Sequence, residues 1–241
     1  MSEHTVRLTS HQWVAEGTMA FFLEKPAGFE YKPGQAIDLI LPRQSPGANS
    51  ADVRHAFSIV SAPHEADLAI ATRMRDSVFK QALGKLPAGT EVKINGPFGS
   101  LTLHKNKARA GVLIAGGIGI TPFMSMLRHA AKHQIPQDIL LLYSNRRPED
   151  TAFLGELQQL ENQNPRFRLM ATMTDMEHSA QSWEGSTHKI DAAWVKQSIS
   201  GLADPIFYAS GPPAMVESMR QALAAAGIDE EDVRSEEFYG Y

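Results

Sequence analysis

The 241-residue chain has no cysteine. This rules out disulfides, thiolate nucleophiles, Cys-ligated zinc and any Cys-held iron–sulfur cluster within it. Positive charge is not in excess either: 23 Lys and Arg stand against 27 Asp and Glu, for a net charge of −4. Nucleic-acid binding needs a concentrated basic surface, so this balance argues against it. No apolar run approaches the ~20 residues of a membrane span, and MSEHTVRLTSHQW lacks the basic-then-apolar pattern of a secretion signal. A soluble cytoplasmic protein is the expectation. A Gly-x-Ser-x-Gly elbow is missing too, which leaves a Ser-His-Asp hydrolase without support. There is no internal repeat and no low-complexity segment.

Hydrophobic residues make up 43% of the chain and charged residues 21%, ample for real cores. At this length two domains of about 100–150 residues are expected. The first hundred residues read as short strands: HTVRLTS, the stretch from Trp13 to Phe22, QAIDLIL, HAFSIVS, DLAIATR and EVKI. Proline and glycine punctuate them, and about six such strands predict a small antiparallel barrel. One helix interrupts the series in DSVFKQALGKL, where Val78, Phe79, Ala82, Leu83 and Leu86 fall at helical spacing after Asp76 or Ser77 as cap. GANSAD (47–52) reads as a flexible loop.

From about residue 110 strand and helix alternate some five times. The strands, such as GVLIA and DILLLYS, are unbroken apolar runs. That pattern predicts a doubly wound parallel sheet covered on both faces. The polar stretch HKNKARA (104–110) supplies the boundary, giving a β-barrel domain over 1–105 and an α/β domain over 106–241.

GVLIA leads directly into GGIGITP and then a helix. In doubly wound sheets the crevice at such a strand end is where ligands bind. Gly116, Gly117 and Gly119 allow positive φ and close backbone approach; Thr121 can cap the helix and Pro122 suits its first position. The helix N-terminus then offers free amides to a pyrophosphate. A tight strand-to-helix connection with no ligand is the competing reading. Pro122 stands where a third glycine would be expected, and the second strand ends in Ser144, Asn145, Arg146 and Arg147 rather than an acidic ribose ligand. Both features argue against an ordinary dehydrogenase loop.

Three further segments, RHAFSIVSAP (54–63), GPFGSL (96–101) and ASGPPAM (209–215), stand in the order and spacing of motifs in the ferredoxin–NADP reductase family, and the terminal EEF (236–238) resembles that family's ending. The resemblance spans essentially the whole chain. It implies a flavin-binding barrel, with FAD favoured over FMN, followed by a domain that binds NADPH or NADH. Arg54, Phe57 and Ser58 are placed on the family's Arg-x-Tyr-Ser motif, with phenylalanine for tyrosine; Ala56 lies within it. Arg54 would neutralise flavin phosphate, Phe57 stack on the ring system and Ser58 bond near the hydride-accepting nitrogen. Thr72, Arg73 and Ser77 are carried over to the flavin diphosphate, although the family's small-residue turn before the serine is missing. Gly116, Gly117, Gly119 and Thr121 match the pyrophosphate loop. Ser210, Gly211 and Pro212 match a Cys-Gly-Pro-Pro motif beside the nicotinamide, with serine for cysteine. Glu236 and Phe238 match the terminal Glu-x-Phe near the flavin. Asn145 and Arg146 carry the choice of nucleotide, and the lack of an Asp or Glu immediately after the strand favours NADPH.

The resemblance thus implies an enzyme that passes hydride from NAD(P)H to flavin beside Ser58, Thr121, Ser210 and Glu236. Electrons would then go singly to a separate ferredoxin, flavodoxin or oxygenase component. A subunit working only inside a larger redox complex is the alternative, and a flavin-free dehydrogenase would be colourless. His55 is expected to point away from the site. Met124, Met126, Met170 and Met173 read as core packing. His129 and His133, four apart on one helix beside Arg128 and Lys132, read as a solvated face; no metal site is expected.

Overall fold

The computed structural model describes residues 2–42 and 54–238; the GANSAD stretch lies outside the described residues. The first six strands form one antiparallel sheet: β1 (Ser2–Ala15), β2 (Thr18–Glu24), β3 (Ala36–Ile40), β4 (Arg54–Ser58), β5 (Asp67–Arg73) and β6 (Glu91–Phe98). Their order is β4-β3-β6-β1-β2-β5. The sheet rolls until its two edges meet, where the Val60 amide donates to the Ala69 carbonyl at 2.7 Å. Alternate residues point inward, so Val6, Leu8, Phe21, Leu23, Ile37, Leu39, Leu68, Ile70, Val92 and Ile94 pack as one barrel core. The stretch from Trp13 to Phe22 is not one strand. It contains the β1–β2 hairpin, turned at Glu16 and Gly17, whose φ of +67° only glycine adopts cheaply.

Helix α1 (Val78–Gly84) follows β5 and is capped by Ser77, whose hydroxyl accepts from the Lys80 amide at 3.2 Å. It closes one end of the barrel with Phe79 and Leu83 buried, while Val78 is 74% exposed.

The second sheet is parallel, with order β11-β10-β7-β8-β9: β7 (Gly111–Gly116), β8 (Ile139–Asn145), β9 (Phe167–Met173), β10 (Ile206–Gly211) and β11 (Val233–Glu237). Its central strands are buried on both faces, which is why they carry no polar alternation. Leu113, Ala115, Leu141 and Tyr143 face helices α2 (Thr121–Lys132) and α3 (Leu154–Gln163). Val112, Ile114, Leu140 and Leu142 face α4 (Ala192–Ser198) and α5 (Pro213–Ala225). Met124, Met126 and Met173 are core residues, and Met170 packs against the core.

Helix α2 starts at Thr121 after a 3-10 turn over Gly117–Ile120. Thr121 is not its N-cap. Ile120 holds that position, and the Thr121 hydroxyl donates back to the Ile118 carbonyl at 3.0 Å. Helix α3 begins only at Leu154. Residues Pro148–Asp150 form a separate 3-10 turn held by ion pairs from Arg147 to Asp150, and Phe153 adopts a φ of +61° before Leu154.

The two sheets share a core. Ala20, Val60, Ala69 and Ala71 of the barrel pack in the same cluster as Leu113, Phe123 and Tyr208. Helix α2 lies between them, its Ser125 hydroxyl donating to the Ser61 carbonyl at 2.6 Å. Arg128 on α2 pairs with Glu156 at 2.6 Å and Glu65 at 3.4 Å. The polar connection is anchored too: His104 is buried, and its amide donates to the Tyr208 hydroxyl at 2.8 Å.

Candidate functional site

Between the barrel and the second sheet lies a cavity of about 360 Å³, within the range of small-molecule sites. Strand β4 supplies His55, Ala56, Phe57 and Ser58 to it; Ser77 and Lys80 come from the start of α1, and Thr121 from α2. Glu236 and Phe238 close it from the C-terminal end. The Ser58 Oγ is buried and has no hydrogen-bond partner. A buried hydroxyl left unpaired costs about 1–3 kcal/mol, so this atom suits a polar group of a ligand. Ala36, Ala71, Phe57 and Phe98 provide apolar walls around it. The donor set therefore fits a flat, mostly apolar ring with polar edges.

The structure corrects the placement of Arg54. In a strand, residues two apart share a face and residues three apart do not. Phe57 therefore shares its side with His55, while Arg54 falls on the side of Ala56 and Ser58. Arg54 turns away and pairs with Asp38 at 2.5 Å, half exposed. His55 does not point away as expected: its ring packs 4.4 Å from Phe79 and lines the cavity. Thr72 is also corrected, since its side chain is fully buried and lines neither this cavity nor the next. Arg73 lies at the other cavity, donating to the Asp150 carbonyl at 3.3 Å. Ser77 reaches the first cavity, with its oxygen committed to capping α1.

Lys80 is 4% exposed, and burial holds its amine below the usual lysine range. Burial also lowers the His55 imidazole, and nearby Lys80 lowers it further. Glu236 pairs in register with Ser210 across β10 and β11, and burial raises its carboxyl above the ordinary value. The cavity thus combines one poorly hydrated cation with one carboxyl that resists ionisation.

The second cavity, about 230 Å³, lies at the carboxyl ends of the parallel strands. Gly116, Gly117, Asn145, Arg146 and Pro212 line it, with Arg73 and Arg75 approaching from the barrel. The three glycines serve different ends. Gly117 alone has positive φ, +52°. A Cβ on Gly119 would sit 2.1 Å from the Ser210 carbonyl oxygen, so glycine there permits the loop to touch β10. A Cβ on Gly116 would meet Met215 at 3.1 Å. Both polar side-chain atoms of Asn145 are buried without hydrogen-bond partners, and so is the Ser210 Oγ, although Ser210, like Thr72, lines neither cavity. Ser210 and Gly211 form the end of β10, and the Phe238 amide donates to the Gly211 carbonyl at 2.9 Å. Glu236 and Phe238 are thereby tied to the strand end that carries Ser210.

Arg146 is 74% exposed but paired with Asp175 at 2.6 Å. An acidic group thus reaches this strand end after all, from the end of β9 rather than from β8. Linear reading missed Asp175 and Lys80. Nothing in one strand's sequence announces what a neighbouring strand delivers, and a helical lysine reads as solvated until packing buries it. His55 was legible: its two-residue spacing from Phe57 was the available signal.

Residues 113–221 match the family model described as the oxidoreductase NAD-binding domain. The chain is 30% identical over 189 residues to ferredoxin–NADP reductase B of Sorangium cellulosum, covering 77% of this chain and 72% of that one. It is 25% identical over 241 residues to the glycine betaine monooxygenase reductase subunit of Chromohalobacter salexigens, covering 97% of this chain and 62% of that one. Among solved structures it resembles a Neisseria gonorrhoeae ferredoxin–NADP+ reductase crystallised with FAD and NADP, with TM-score 0.80, 21% identity and 98% of each chain covered. The chain spans between 51% and 62% of the length of the first curated relatives it matches. With its antiparallel barrel, its parallel nucleotide-type sheet and these matches, the chain belongs to the ferredoxin–NADP reductase-like family of flavoprotein reductases.

Proposed function

We propose that the chain is a flavin-dependent NAD(P)H oxidoreductase, with FAD in the 360 Å³ cavity and the dinucleotide across the 230 Å³ one. The division of labour falls between residues 105 and 106. The observation that carries this reading is the arrangement of the two cavities on either side of the segment Gly116–Thr121, each with buried polar atoms left for a ligand. Bound flavin would supply the redox chemistry, accepting hydride from NAD(P)H and giving electrons singly to a separate acceptor.

The chain's own residues bind, orient and exclude water. Phe57 and His55 wall one side of the flavin cavity, and the Ser58 hydroxyl is available to a polar ring edge. Lys80, with Ser77 beside it, lines the flavin cavity and takes over the phosphate-side role in which Arg54 is replaced. Gly116, Gly117 and Pro212 shape the second cavity, while Gly119 seats the loop against Ser210 so that the dinucleotide and flavin sites stay adjacent. Thr121 and Glu236 border the flavin cavity from the nucleotide side. Arg73 and Arg75 serve the dinucleotide phosphates rather than the flavin's.

Arg146 remains the candidate for a 2′-phosphate, but NADPH must compete with Asp175 for it. D175N should therefore raise kcat/KM for NADPH relative to NADH severalfold, and an unchanged ratio would remove Arg146 from the choice. The acceptor is a ferredoxin, a flavodoxin or an oxygenase component; the reductase subunits among the relatives support the last class. A non-autonomous subunit of a larger redox complex is the second reading, supported by relatives that are themselves a reductase subunit or component. A visible spectrum of the purified protein, titrated anaerobically with NADH and then NADPH, tests the flavin. Catalytic ferricyanide reduction separates an autonomous reductase from a subunit. Protein that stays colourless and takes up neither FAD nor FMN overturns both readings.

A further inference from the structure

The helix pair His129 and His133 does not stand alone. The loop between β4 and β5 brings His64 against it, and one ring nitrogen from each of the three lies within 4.8 Å of the others. The ring centroids of His129 and His133 are 4.4 Å apart, and His64 stands 5.6 Å from His133 and 6.4 Å from His129. The Nδ1 of His129 is buried without a hydrogen-bond partner. Among the described residues, none of the three rings hydrogen-bonds to the protein, so no contact commits their nitrogens elsewhere.

We propose that His64, His129 and His133 form a binding site for a divalent transition-metal ion of the zinc type, clamping the barrel to the nucleotide domain. The ligand chemistry selects the ion. Three neutral imidazoles suit Zn²⁺ and its neighbours, whereas Ca²⁺ and Mg²⁺ require oxygen donors. Two histidines four apart on a helix share one face, the spacing used in metal-binding helices. Nitrogens around a tetrahedral ion stand about 3.3 Å apart, from bonds of about 2.0–2.1 Å. His64 and His133 are both exposed, which leaves their side chains room to turn toward that spacing. The fourth position is left to water.

The surroundings support the assignment. His129 and His133 lie at the C-terminal end of α2, where the helix dipole favours a cation. Glu65, next in sequence to His64, adds negative charge beside the cluster. Lys132 and Lys25 oppose it, which tempers affinity without removing a ligand. The consequence is mechanical. The helix that would be pinned at this end carries Thr121, a wall of the flavin cavity, at the other.

The test is ZnCl2 titration of tag-free, flavin-loaded, chelator-treated protein by calorimetry, with X-ray absorption at the zinc edge to count imidazoles. The expected result is one ion per chain, three imidazole ligands and a raised unfolding temperature. H64Q, H129Q and H133Q should each weaken binding at least tenfold. H64Q is the decisive variant, because it leaves the helix pair intact and removes only the barrel's ligand. Its flavin absorbance and dye-reduction rate should match the parent, which shows that it is folded. If H64Q binds zinc as the parent does, or if the parent binds none, the interdomain site is refuted.

Discussion

Gly119→Ala is the sharpest probe of how the two halves meet. The added Cβ would lie 2.1 Å from the Ser210 oxygen, 2.5 Å from its carbonyl carbon and 2.7 Å from the Gly211 Cα. All three are backbone atoms of β10, so no side chain can swing aside. Contacts below 3.0 Å are not tolerated, and the loop and strand must part by about 1 Å. Overpacking of this kind costs about 1–3 kcal/mol in a packed interior. For a chain of this length that lowers the unfolding temperature by roughly 2–4 °C per kcal/mol. The functional loss should be larger. A displacement of about 1 Å at a site that relies on positioning can cost about 10²-fold in rate. The assays are thermal unfolding of the flavin-loaded protein and steady-state dye reduction with NADPH. Gly155→Ala is the control, since its Cβ meets nothing within 4 Å, and it should be neutral or slightly stabilising. If G119A unfolds and turns over as the parent does, the close approach of loop and strand is not what seats the two sites.

S58A deletes a buried hydroxyl that lines the first cavity and has no protein partner, so it should not lower stability of the ligand-free protein. It should slow flavin reduction about tenfold, the value of one hydrogen bond of about 1.4 kcal/mol; a stability loss with unchanged rate in stopped flow would reverse the assignment. R54A should leave the ratio of flavin to protein absorbance unchanged, while H55A should lower it, because His55 and not Arg54 lines the cavity; the opposite ranking would restore Arg54. For Glu236 the folded-state carboxyl is raised, so its contribution to stability is whole at pH below its ordinary value of 4.5 and is lost as pH rises through the folded value. E236Q removes that titration and should gain stability over the parent as pH rises from acid to neutral in urea unfolding; a difference independent of pH would show that Glu236 does not titrate in this range.

The local periodicities were legible without any structure. Alternation in the first hundred residues reports strands with one buried side, and unbroken apolar runs such as GVLIA report strands covered on both. Both signals arise from which side chains must leave water, and that is a property of local order along the chain. The Gly116–Thr121 turn between strand and helix was legible from its residue types, whereas Ser58 and the terminal Glu236–Phe238 segment were singled out only by the family resemblance. The sense in which a residue points was harder to read. Arg54 and His55 differ by one position, yet His55 lines the cavity and Arg54 is drawn off by Asp38 on the neighbouring strand.

Interactions between elements were decided only by the tertiary structure. Asp175 reaches Arg146 from the end of another strand, and Arg73 crosses from the barrel to Asp150. Lys80 becomes a buried cation only because α1 packs over the barrel mouth, and His64 meets His129 and His133 only because α2 lies against the β4–β5 loop. Sequence alone established two layered units, because burial and turn chemistry act over a few residues. Which charges and rings face one another across those units depends on distances closed by folding, and no local pattern encodes them.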